Sequence, residues 1–483
     1  MDRQDTWPDG KRVELHAHTK MSAMDGLNEP EDIVKQAAYW GQPAVAITDH
    51  GVVQAFPDAA KTADDLKKKQ GIDIKVIYGM EGYVFDDEGL IDEEGNIDYK
   101  SRPTNHIILL AATQEGMKNL YKLVSFSHLD YFYKKPRLPK SVINKYRDGL
   151  IIGSACEAGE LYQAFYHQRP EAEIRKIAGF YDYFEIQPLI NNRFLTEDVT
   201  EGGKYPDRRR LTNDDLMDIN RSIVALGEEM ERPVVATTDA HYDRDTSAIY
   251  RNIIMAGQGY KDAENGQGLY LRTTDEMMEE FSYLGEETAR KVVIENTNKI
   301  AGRIGQLRPV PKEKYPPKIP GAEETLRKTC MEKAHSIYGD LLPEEIGQRL
   351  EKELNSIINN GYAVMYVSAQ MLVKKSMEDG YLVGSRGSVG SSLAATMAGI
   401  TEVNPLNPHY ICPSCKHLEW GDMEQYDCGI DMPPKKCPVC GEEMNRDGFT
   451  IPFATFLGFD GDKEPDIDLN FAGEYQPLSL IHI

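Results

Sequence analysis

Apolar and polar positions in the first part of the chain form short apolar runs of high β-propensity, separated by longer segments with helical spacing. The apolar runs cover residues 44–48, 76–78, 106–111, 149–153 and 233–237. Short buried strands that alternate with helices are typical of a parallel sheet or barrel with helices outside it. The first outer helix is expected to begin at Asn28-Glu29-Pro30 and to end at Gly41.

The second part of the chain has a mainly helical pattern. Residues 307–321 contain five prolines, which predicts an extended, semi-rigid linker. Beyond it, helical spacing covers residues 323–338, 343–359, 363–378 and 393–398. We therefore expect a frayed start over 1–10, one domain over 11–306, the linker, and a second domain over 322–477.

Composition narrows the class of protein. A chain of 483 residues is long enough for two or three cores. Its net charge of -23 argues against this chain alone gripping DNA, since nonspecific nucleic-acid binding usually needs a basic surface. It has no apolar run long enough to cross a bilayer and no signal pattern, so we expect a cytoplasmic protein without membrane contact.

The first candidate chemistry is the pair His16 and His18, which follows a short apolar run. Residues two apart on a strand share a face, and paired imidazoles suit zinc, manganese or iron. By itself such a pair is more typical of strand-end histidines held by hydrogen bonds. Further ligand-type residues border the later strands, and five of the eleven histidines belong to this set, which continues with Asp25, His50, Glu81, His106, Cys156, Asp239 and His241.

Two Cys-Pro-x-Cys pairs stand twenty-one residues apart in the second domain, as Cys412/Cys415 and Cys437/Cys440. Four thiolates suit tetrahedral zinc and leave no open position for catalysis. A chain without an export signal favours metal binding over disulfides. We predict a structural zinc site in an insertion over 410–443, with a chance arrangement of cysteines as the alternative.

A glycine- and serine-rich turn precedes these cysteines. Its glycines permit close backbone approach to a ligand, while its serines and its arginine can contact phosphate oxygens. The helix expected at 393–398 would direct its positive end at the same anion. A plain linker is the alternative reading. The residues of this predicted phosphate cradle are Gly384, Ser385, Arg386, Gly387, Ser388, Gly390 and Ser391.

Two aspartates, Asp466 and Asp468, lie about 75 residues beyond the cradle on an expected strand. Carboxylates that share a strand face can bridge two Mg²⁺ ions across a transferring phosphoryl group. Together with the cradle they predict nucleotidyl transfer. Separately, residues 131–137 interleave aromatic and basic side chains. Such a loop could stack bases and contact phosphates, or could simply be anchored in the core.

The ligand series from His16 to His241 resembles the polymerase-and-histidinol-phosphatase (PHP) family. The resemblance implies an α/β fold with a (β/α) barrel of about seven strands, whose nine ligands hold up to three ions, here Mn²⁺, Zn²⁺ or Fe²⁺. The segments TDHGVVQAFP, GSACEAGEL and YDYFEIQP are similar to the PHP domain of PolC-type DNA polymerase III alpha subunits of Gram-positive bacteria. This resemblance runs from about residue 11 to residue 476.

The second domain resembles the same family through LVGSRGSVGSS, GITEVNPLNPHY, IPFATFLGF and PDIDLNFAGEYQ. The resemblance implies a partial nucleotidyltransferase palm of the polymerase-beta type, with a zinc-knuckle insertion. It also implies that Asp466 and Asp468 are catalytic with Mg²⁺ and that the cradle meets the incoming nucleotide. The implied substrates are primer-template DNA and deoxynucleoside triphosphates, and the implied replisome partners, such as the sliding clamp, bind through regions absent here.

The chain departs from this family between Glu81 and His106, where PolC proteins commonly carry an inserted exonuclease and this chain has a polar loop. The PHP centre is then the candidate for a 3′–5′ exonuclease. Residues 478–483 resemble a translated sequencing adapter, so we expect the natural protein to continue and this chain alone not to extend a primer. The alternatives are a stand-alone metal phosphatase of the histidinol-phosphate kind and a catalytically silent PHP scaffold for replisome partners.

Overall fold

The structure, a computed structural model, describes residues 3–90, 97–196, 209–259, 268–311, 317–458 and 463–481. The chain divides into two compact units, Met1–Lys312 and Glu313–Ile483, and the division falls inside the expected linker. Residues 312–316 of that linker and residues 482–483 of the expected tail lie outside the described residues. Over the described ranges, no helix combines the length and apolar character that a membrane span needs.

The first unit contains a ring of paired segments. Strand β1 (Ala44–Ile47) pairs in parallel with β2 (Lys75–Phe85), β2 pairs antiparallel with β3 (Asn105–Ala111), and β3 pairs antiparallel with β6 (Leu150–Gly153). Strands β7 and β8 pair in parallel with each other. The strands of this unit are β1 Ala44–Ile47, β2 Lys75–Phe85, β3 Asn105–Ala111, β4 Phe132–Tyr133, β5 Lys135–Pro139, β6 Leu150–Gly153, β7 Phe184–Ile186 and β8 Val234–Ala236.

Isolated bridges close this ring. Gly153 at the end of β6 bridges to Tyr183 just before β7, and Ala240 after β8 bridges to Ala17. Glu14 bridges in turn to Val45 of β1. Residues 13–19 therefore join six strands as the seventh member of the ring, which agrees with the implied barrel of about seven strands.

His16 and His18 were expected at the end of a strand, but residues 13–19 make only isolated bridges. Side chains take several backbone N–H groups that a ladder would use. The Glu14 carboxylate accepts from the N–H of His16 at 3.0 Å, and Asp49 accepts from the N–H of Thr19 at 2.6 Å. These side-chain hydrogen bonds thus replace regular strand pairing and fix the backbone beside the two histidines.

The barrel strands are buried on both faces, which explains their continuous apolar runs. In β1, Ala44 and Ala46 belong to the cluster inside the ring, while Val45 and Ile47 pack with the outer helices. Ile300 belongs to the inner cluster. The helices of this unit are α1 Pro30–Tyr39, α2 Phe56–Gln70, α3 Gln114–Leu129, α4 Lys140–Lys145, α5 Glu160–Tyr166, α6 Glu171–Ala178, α7 Asn213–Glu229, α8 Ala248–Gly257, α9 Thr274–Glu280, α10 Glu286–Arg290 and α11 Asn296–Gly302.

The start of the chain differs from the frayed segment that the sequence predicts. The Arg3 guanidinium donates to the Glu276 carboxylate at 3.0 Å and to the carbonyl oxygen of Leu271 at 2.7 Å. The indole N–H of Trp40 donates to the carbonyl oxygen of Arg3 at 2.8 Å. These contacts hold Arg3 against the first unit.

The second unit begins with three long helices whose bounds lie within one residue of those predicted. Its small strands form two separate sheets: β10 (His409–Ile411) pairs antiparallel with β11 (Leu418–Trp420) and β12 (Asn445–Asp447), and β9 (Gly384–Arg386) pairs antiparallel with β13 (Asp468–Asn470). The elements are α12 Ala322–Tyr338, α13 Glu344–Asn359, α14 Ala363–Glu378, β9 Gly384–Arg386, α15 Leu393–Met397, β10 His409–Ile411, β11 Leu418–Trp420, β12 Asn445–Asp447, α16 Ala454–Leu457, β13 Asp468–Asn470 and α17 Gln476–Ile481.

Candidate metal centre

The nine side chains predicted as PHP ligands come together at one end of the barrel. They are supplied by residues 13–19, by the loop before α1, by β2 and β3, and by the loops that follow β1, β6 and β8. Each lies within 3.6 Å of at least one other member, measured between side-chain nitrogen, oxygen or sulfur atoms. We call this set the metal cluster: His16, His18, Asp25, His50, Glu81, His106, Cys156, Asp239 and His241.

Two imidazoles and a carboxylate meet in one part of the metal cluster. The Nε2 atoms of His16 and His18 lie 3.1 Å apart. Asp239 Oδ1 lies 3.3 Å from the first of these nitrogens and 3.2 Å from the second. Three ligand-type atoms within this distance can bind one cation together.

Glu81 occupies the middle of the metal cluster. Its Oε1 lies 2.8 Å from His106 Nδ1 and 3.5 Å from Cys156 Sγ, while its Oε2 lies 2.7 Å from His50 Nδ1. A carboxylate whose two oxygens face different groups of ligands can bridge two neighbouring cations. The side chain is 1% exposed, so this arrangement is shielded from bulk water.

Asp25 completes the outer part of the metal cluster. Its Oδ2 lies 3.2 Å from His50 Nε2 and 3.5 Å from His241 Nε2. Its other oxygen accepts from Nε of Arg251 at 2.8 Å. The carboxylate is therefore held from behind by a cation while it faces two imidazoles.

The charges in the cluster shift its pKa values in opposite directions. Burial opposes a charge on His50, but Glu81 and Asp25 outweigh it and raise its pKa to about 10. For His18, burial together with the neighbouring His241 and His50 lowers the pKa well below its usual value. Burial raises the pKa of the Cys156 thiol well above its usual value. Such opposed shifts are typical of functional sites.

Three buried atoms in the cluster make it a good fit for cations. Glu81 Oε2, Asp239 Oδ1 and His50 Nδ1 are shielded from water, yet none has a hydrogen-bond partner of acceptable geometry among the described residues. Buried polar atoms are almost always satisfied, and an ion is one of the explanations for an exception. The donor set of imidazoles, carboxylates and one thiol suits Zn²⁺, Mn²⁺ or Fe²⁺.

A second set of buried side chains orients the cluster, and the sequence analysis assigned it no role. Glu185 Oε1 lies 2.7 Å from His16 Nδ1, and Ser22 Oγ lies 2.9 Å from His18 Nδ1. These bonds direct Nε2 of each ring toward the cluster. Glu157 adds a carboxylate near Cys156 and Asp239. The one available signal for Glu185 was a charged residue inside the apolar strand Phe184–Ile186.

The four predicted zinc cysteines also converge, beside the sheet of β10, β11 and β12. Sγ of Cys412 lies 3.4 Å from Sγ of Cys440, and Sγ of Cys415 lies 3.5 Å from Sγ of Cys437. A tetrahedral site with Zn–S bonds of about 2.3 Å places its sulfur atoms about 3.8 Å apart. Backbone N–H groups of Cys415 and Ser414 help to lower the pKa of the Cys412 thiol to about 6, while the neighbouring cysteines raise the pKa of the Cys415 thiol to about 12.

The phosphate cradle is divided between exposed and buried parts. Arg386 and Gly387 are exposed. Ser391, in contrast, is 1% exposed and its hydroxyl donates to the carbonyl oxygen of Ser388 at 2.7 Å. A Cβ at the buried Gly390 would lie 3.3 Å from Cβ of Val403. The expectation that Gly390 and Ser391 contact a nucleotide therefore needs correction, because both positions are used in packing.

The role expected for the helix after the cradle also needs correction. Helix α15 has only five residues, and its first N–H groups are already bonded. Glu353 Oε2 accepts from the N–H of Ala394 at 3.0 Å, and Ser392 Oγ accepts from the N–H of Ala395 at 3.1 Å. These N–H groups are therefore not available to a phosphate.

The cradle and the aspartates meet through strand pairing. Arg386 of β9 lies opposite Asp468 of β13, and Nε of Arg386 is 3.9 Å from Asp468 Oδ2. Gly387 has a φ of +79°, and a Cβ there would lie 3.4 Å from Asp468 Oδ2. Asp466 was expected on the same strand, but it precedes β13 and is exposed. Of the two aspartates, only Asp468 takes part in the strand pairing.

The barrel and its cluster define a class: an α/β protein with a PHP domain. Residues 14–188 match the family model of the PHP domain, a range that contains seven of the nine cluster residues. Residues 324–481 match the model of the bacterial DNA polymerase III alpha NTPase domain. Beyond these two domains, the chain is similar over nearly its whole length to proteins named DNA polymerase III PolC-type.

A relative from Clostridium perfringens named DNA polymerase III PolC-type is 42% identical, and the alignment covers 99% of this chain and 45% of the relative. One from Halalkalibacterium halodurans with the same name is 51% identical over 80% of this chain and 26% of its own length. The chain thus spans less than half the length of these relatives. The first alignment runs over 667 positions against 483 residues here, so that relative has at least 184 (667 − 483) positions without a counterpart in this chain.

Among solved structures, a Bifidobacterium adolescentis protein, whose assignment as a metal-dependent phosphoesterase is itself a prediction, has a TM-score of 0.32 and 14% identity. The match covers 62% of this chain and 99% of that one. This likeness is too weak to support an inference.

Proposed function

We propose that this chain forms part of a DNA-directed DNA polymerase of bacterial chromosome replication and supplies it with a metal-dependent phosphodiester-cleaving centre. The polymerase assignment is supported by relatives named DNA polymerase III PolC-type and by the family-model match over residues 324–481. Its substrates are primer-template DNA and deoxynucleoside triphosphates. A sliding clamp would bind through regions outside this chain.

The cleaving centre is the metal cluster of the first unit, whose nine residues would hold Mn²⁺, Zn²⁺ or Fe²⁺. The observation that carries this proposal is the convergence of nine imidazole, carboxylate and thiol side chains, whose ligand-type atoms form several groups close enough to hold one ion each. Ions bound there would supply an activated water and neutralise charge on a phosphodiester. Residues of the chain prepare the site: Glu185 and Ser22 fix two imidazoles, and Arg251 fixes Asp25.

In the second unit, Asp466 and Asp468 would hold Mg²⁺ for nucleotidyl transfer. The part of the cradle that is not buried, from Gly384 to Ser388, would meet the triphosphate. This assignment is supported by the register that sets Arg386 opposite Asp468. The fold proposed for this unit is a partial nucleotidyltransferase palm, in which Cys412, Cys415, Cys437 and Cys440 hold a structural Zn²⁺.

We infer that the metal cluster acts as a 3′–5′ exonuclease that removes mismatched primer ends. Its burial and its orienting side chains favour catalysis over a silent scaffold, because a scaffold has no need for such a costly arrangement of buried charge. A stand-alone phosphatase is disfavoured, because that reading leaves the second unit and its family match without a role.

The experiment is manganese-dependent release of nucleotides from a mismatched primer end by the purified chain and its Asp239→Ala variant. Asp64→Ala, at an exposed position of α2, serves as the matched control. We expect release by the parent and by the control, and none by Asp239→Ala. Absence of release from the parent, with metal verified in the protein, would contradict the exonuclease and favour the scaffold.

A further inference from the structure

A short hairpin at the rim of the metal cluster carries an exposed aromatic surface. It consists of β4 and β5, with Phe132 opposite Pro136 and Tyr133 opposite Lys135. Lys134 at the turn has a φ of +64°. The Phe132 and Tyr133 side chains are 50% and 38% exposed. Successive residues of a strand point to opposite faces, so the two rings offer separate stacking surfaces, and the Phe132 ring centroid also lies 6.2 Å from that of His128.

The hairpin is fixed against the loop that carries His50. Gly51 follows His50 with a φ of +65°, and a Cβ there would lie 2.5 Å from Cγ of Pro136. This close approach requires glycine. On the neighbouring helix α3, His128 Nε2 lies 2.9 Å from the carbonyl oxygen of Gly51. The hairpin therefore has a defined position relative to the metal cluster.

Lys135 places a positive charge between the hairpin and the metal cluster. Its ammonium lies 4.1 Å from the centroid of the Tyr83 ring. That ring centroid lies 5.2 Å from the ring centroid of His106 and 6.0 Å from that of His50. Within the described ranges, no carboxylate lies at ion-pair distance from Lys135, so its charge is available to a ligand.

Further cations surround the aromatic surface. The ammonium groups of Lys134 and Lys100 lie 5.5 and 6.0 Å from the centroid of the Tyr133 ring. The buried Arg137 guanidinium, 5.6 Å from that centroid, donates to backbone carbonyl oxygens and serves to hold the hairpin. This concentration of positive charge occurs in a chain of net charge -23. Aromatic faces combined with cations match the bases and phosphates of a single nucleic-acid strand.

We propose that the β4–β5 hairpin binds the unpaired 3′ end of a DNA strand, with Phe132 and Tyr133 stacking on its terminal bases and Lys135 contacting a phosphate beside the metal cluster. The inference rests on the proposed function in that the cluster is the place of cleavage. A paired end is a poor ligand, because its bases are already stacked and their faces are covered. The hairpin thus selects frayed, mismatched ends.

The test is binding of a 5′-fluorescein hexanucleotide to the full chain by fluorescence anisotropy, with a phosphorothioate at the 3′-terminal linkage to prevent cleavage. Loss of one stacking partner costs about 1–3 kcal/mol per base, so Phe132→Ala and Tyr133→Ala should each raise Kd at least about fivefold. Phe132→Tyr and Tyr133→Phe keep the stacking faces and should bind like the parent. Lys135→Met should weaken binding and reduce the slope of log Kd against log salt by about 0.7.

Two matched controls separate the hairpin from general surface effects. Leu129→Ala removes an apolar side chain, 82% exposed, next to the hairpin. Lys118→Met removes an exposed positive charge from α3. Both should bind like the parent. The proposal is overturned if the parent fails to bind, if it binds a blunt duplex as tightly, or if the hairpin variants bind as the parent does.

Nucleotide release, measured on the same variants, distinguishes failure of this inference from failure of the proposed function. If hairpin variants lose binding while the parent releases no nucleotides, the hairpin assignment stands and the exonuclease fails. If the parent releases nucleotides and the hairpin variants keep its KM, the exonuclease stands and the hairpin assignment fails.

Discussion

The metal cluster of the first unit and the Arg386–Asp468 pair of the second unit are both candidates for phosphoryl chemistry, but they are built differently. Most of the cluster is buried, and Glu185, Ser22 and Arg251 hold its members from behind. The pair lies on a two-stranded ribbon, with side chains 71% and 44% exposed. Fixed geometry comes from buried supporting contacts, and only the cluster has them within the described residues.

The largest expected effect concerns the four cysteines proposed to hold zinc in the second unit. Cys437→Ser should abolish zinc binding, and structural zinc contributes about 10–16 kcal/mol to the folding of zinc-finger peptides. We expect residues 410–443 to become protease-sensitive, while manganese-dependent nucleotide release stays unchanged. Cys428→Ser, outside the four-cysteine set, is the control. Protection in Cys437→Ser equal to that in the parent would rule out a structural zinc site.

The next effect concerns the centre of the metal cluster. Glu81→Gln removes the carboxylate charge that lies between His50 and His106, so nucleotide release should fall by more than about 100-fold, beyond what loss of an outer hydrogen bond causes. Asp468→Asn, in the exposed pair, should leave release unchanged. Equal losses of nucleotide release in the two variants would contradict the conclusion that the metal cluster, and not the exposed pair, cleaves the DNA end.

A smaller effect is expected from the support behind His16. Glu185→Gln keeps the shape of the side chain but weakens the bond to Nδ1, so apparent Mn²⁺ affinity should fall about 10- to 100-fold. Isothermal titration of Mn²⁺ into the chain measures this. Glu160→Gln, a carboxylate that pairs with Lys140, is the matched control. Unchanged affinity in Glu185→Gln would mean that Glu185 does not orient the imidazole.

The smallest effect is expected at the exposed pair itself. Arg386→Ala removes an exposed contact of 3.9 Å and should lower the free energy of unfolding by less than about 1 kcal/mol. Arg12→Ala, which breaks a buried pair with Glu14 at 2.8 Å, should cost about 3–5 kcal/mol. Denaturant titration compares the two variants. A loss at Arg386 as large as that at Arg12 would show that the ribbon is fixed.

The sequence predicted helices and strands correctly wherever a single hydrophobic pattern, helical or strand-like, covered the whole segment. The spacing over 363–378 predicted helix α14 within its observed bounds, and the apolar run at 44–48 predicted β1 within one residue. The irregular backbone of residues 13–19 could not be predicted in this way. Glu14 and Asp49 take the backbone N–H groups of that segment, and no periodicity in the sequence encodes such contacts.

The ligand residues of the metal cluster could be predicted from their residue types and from the family resemblance. The side chains that hold them in place could not, because these contacts join residues far apart in the sequence. Glu185 lies 169 positions from His16, and Arg251 lies 226 positions from Asp25. The same limit explains the error at helix α15. Glu353, 41 positions upstream of Ala394, occupies the helix end that a local reading leaves free for phosphate.

Anomalous diffraction at the manganese edge, from crystals of this chain soaked in Mn²⁺, tests the difference between the two regions most directly. We predict strong anomalous peaks among His16, His18, Glu81 and Asp239, and none beside Asp468 in the absence of nucleotide. An empty metal cluster, or a peak of equal height beside Asp468, would contradict the conclusion that the first unit holds the preformed metal centre.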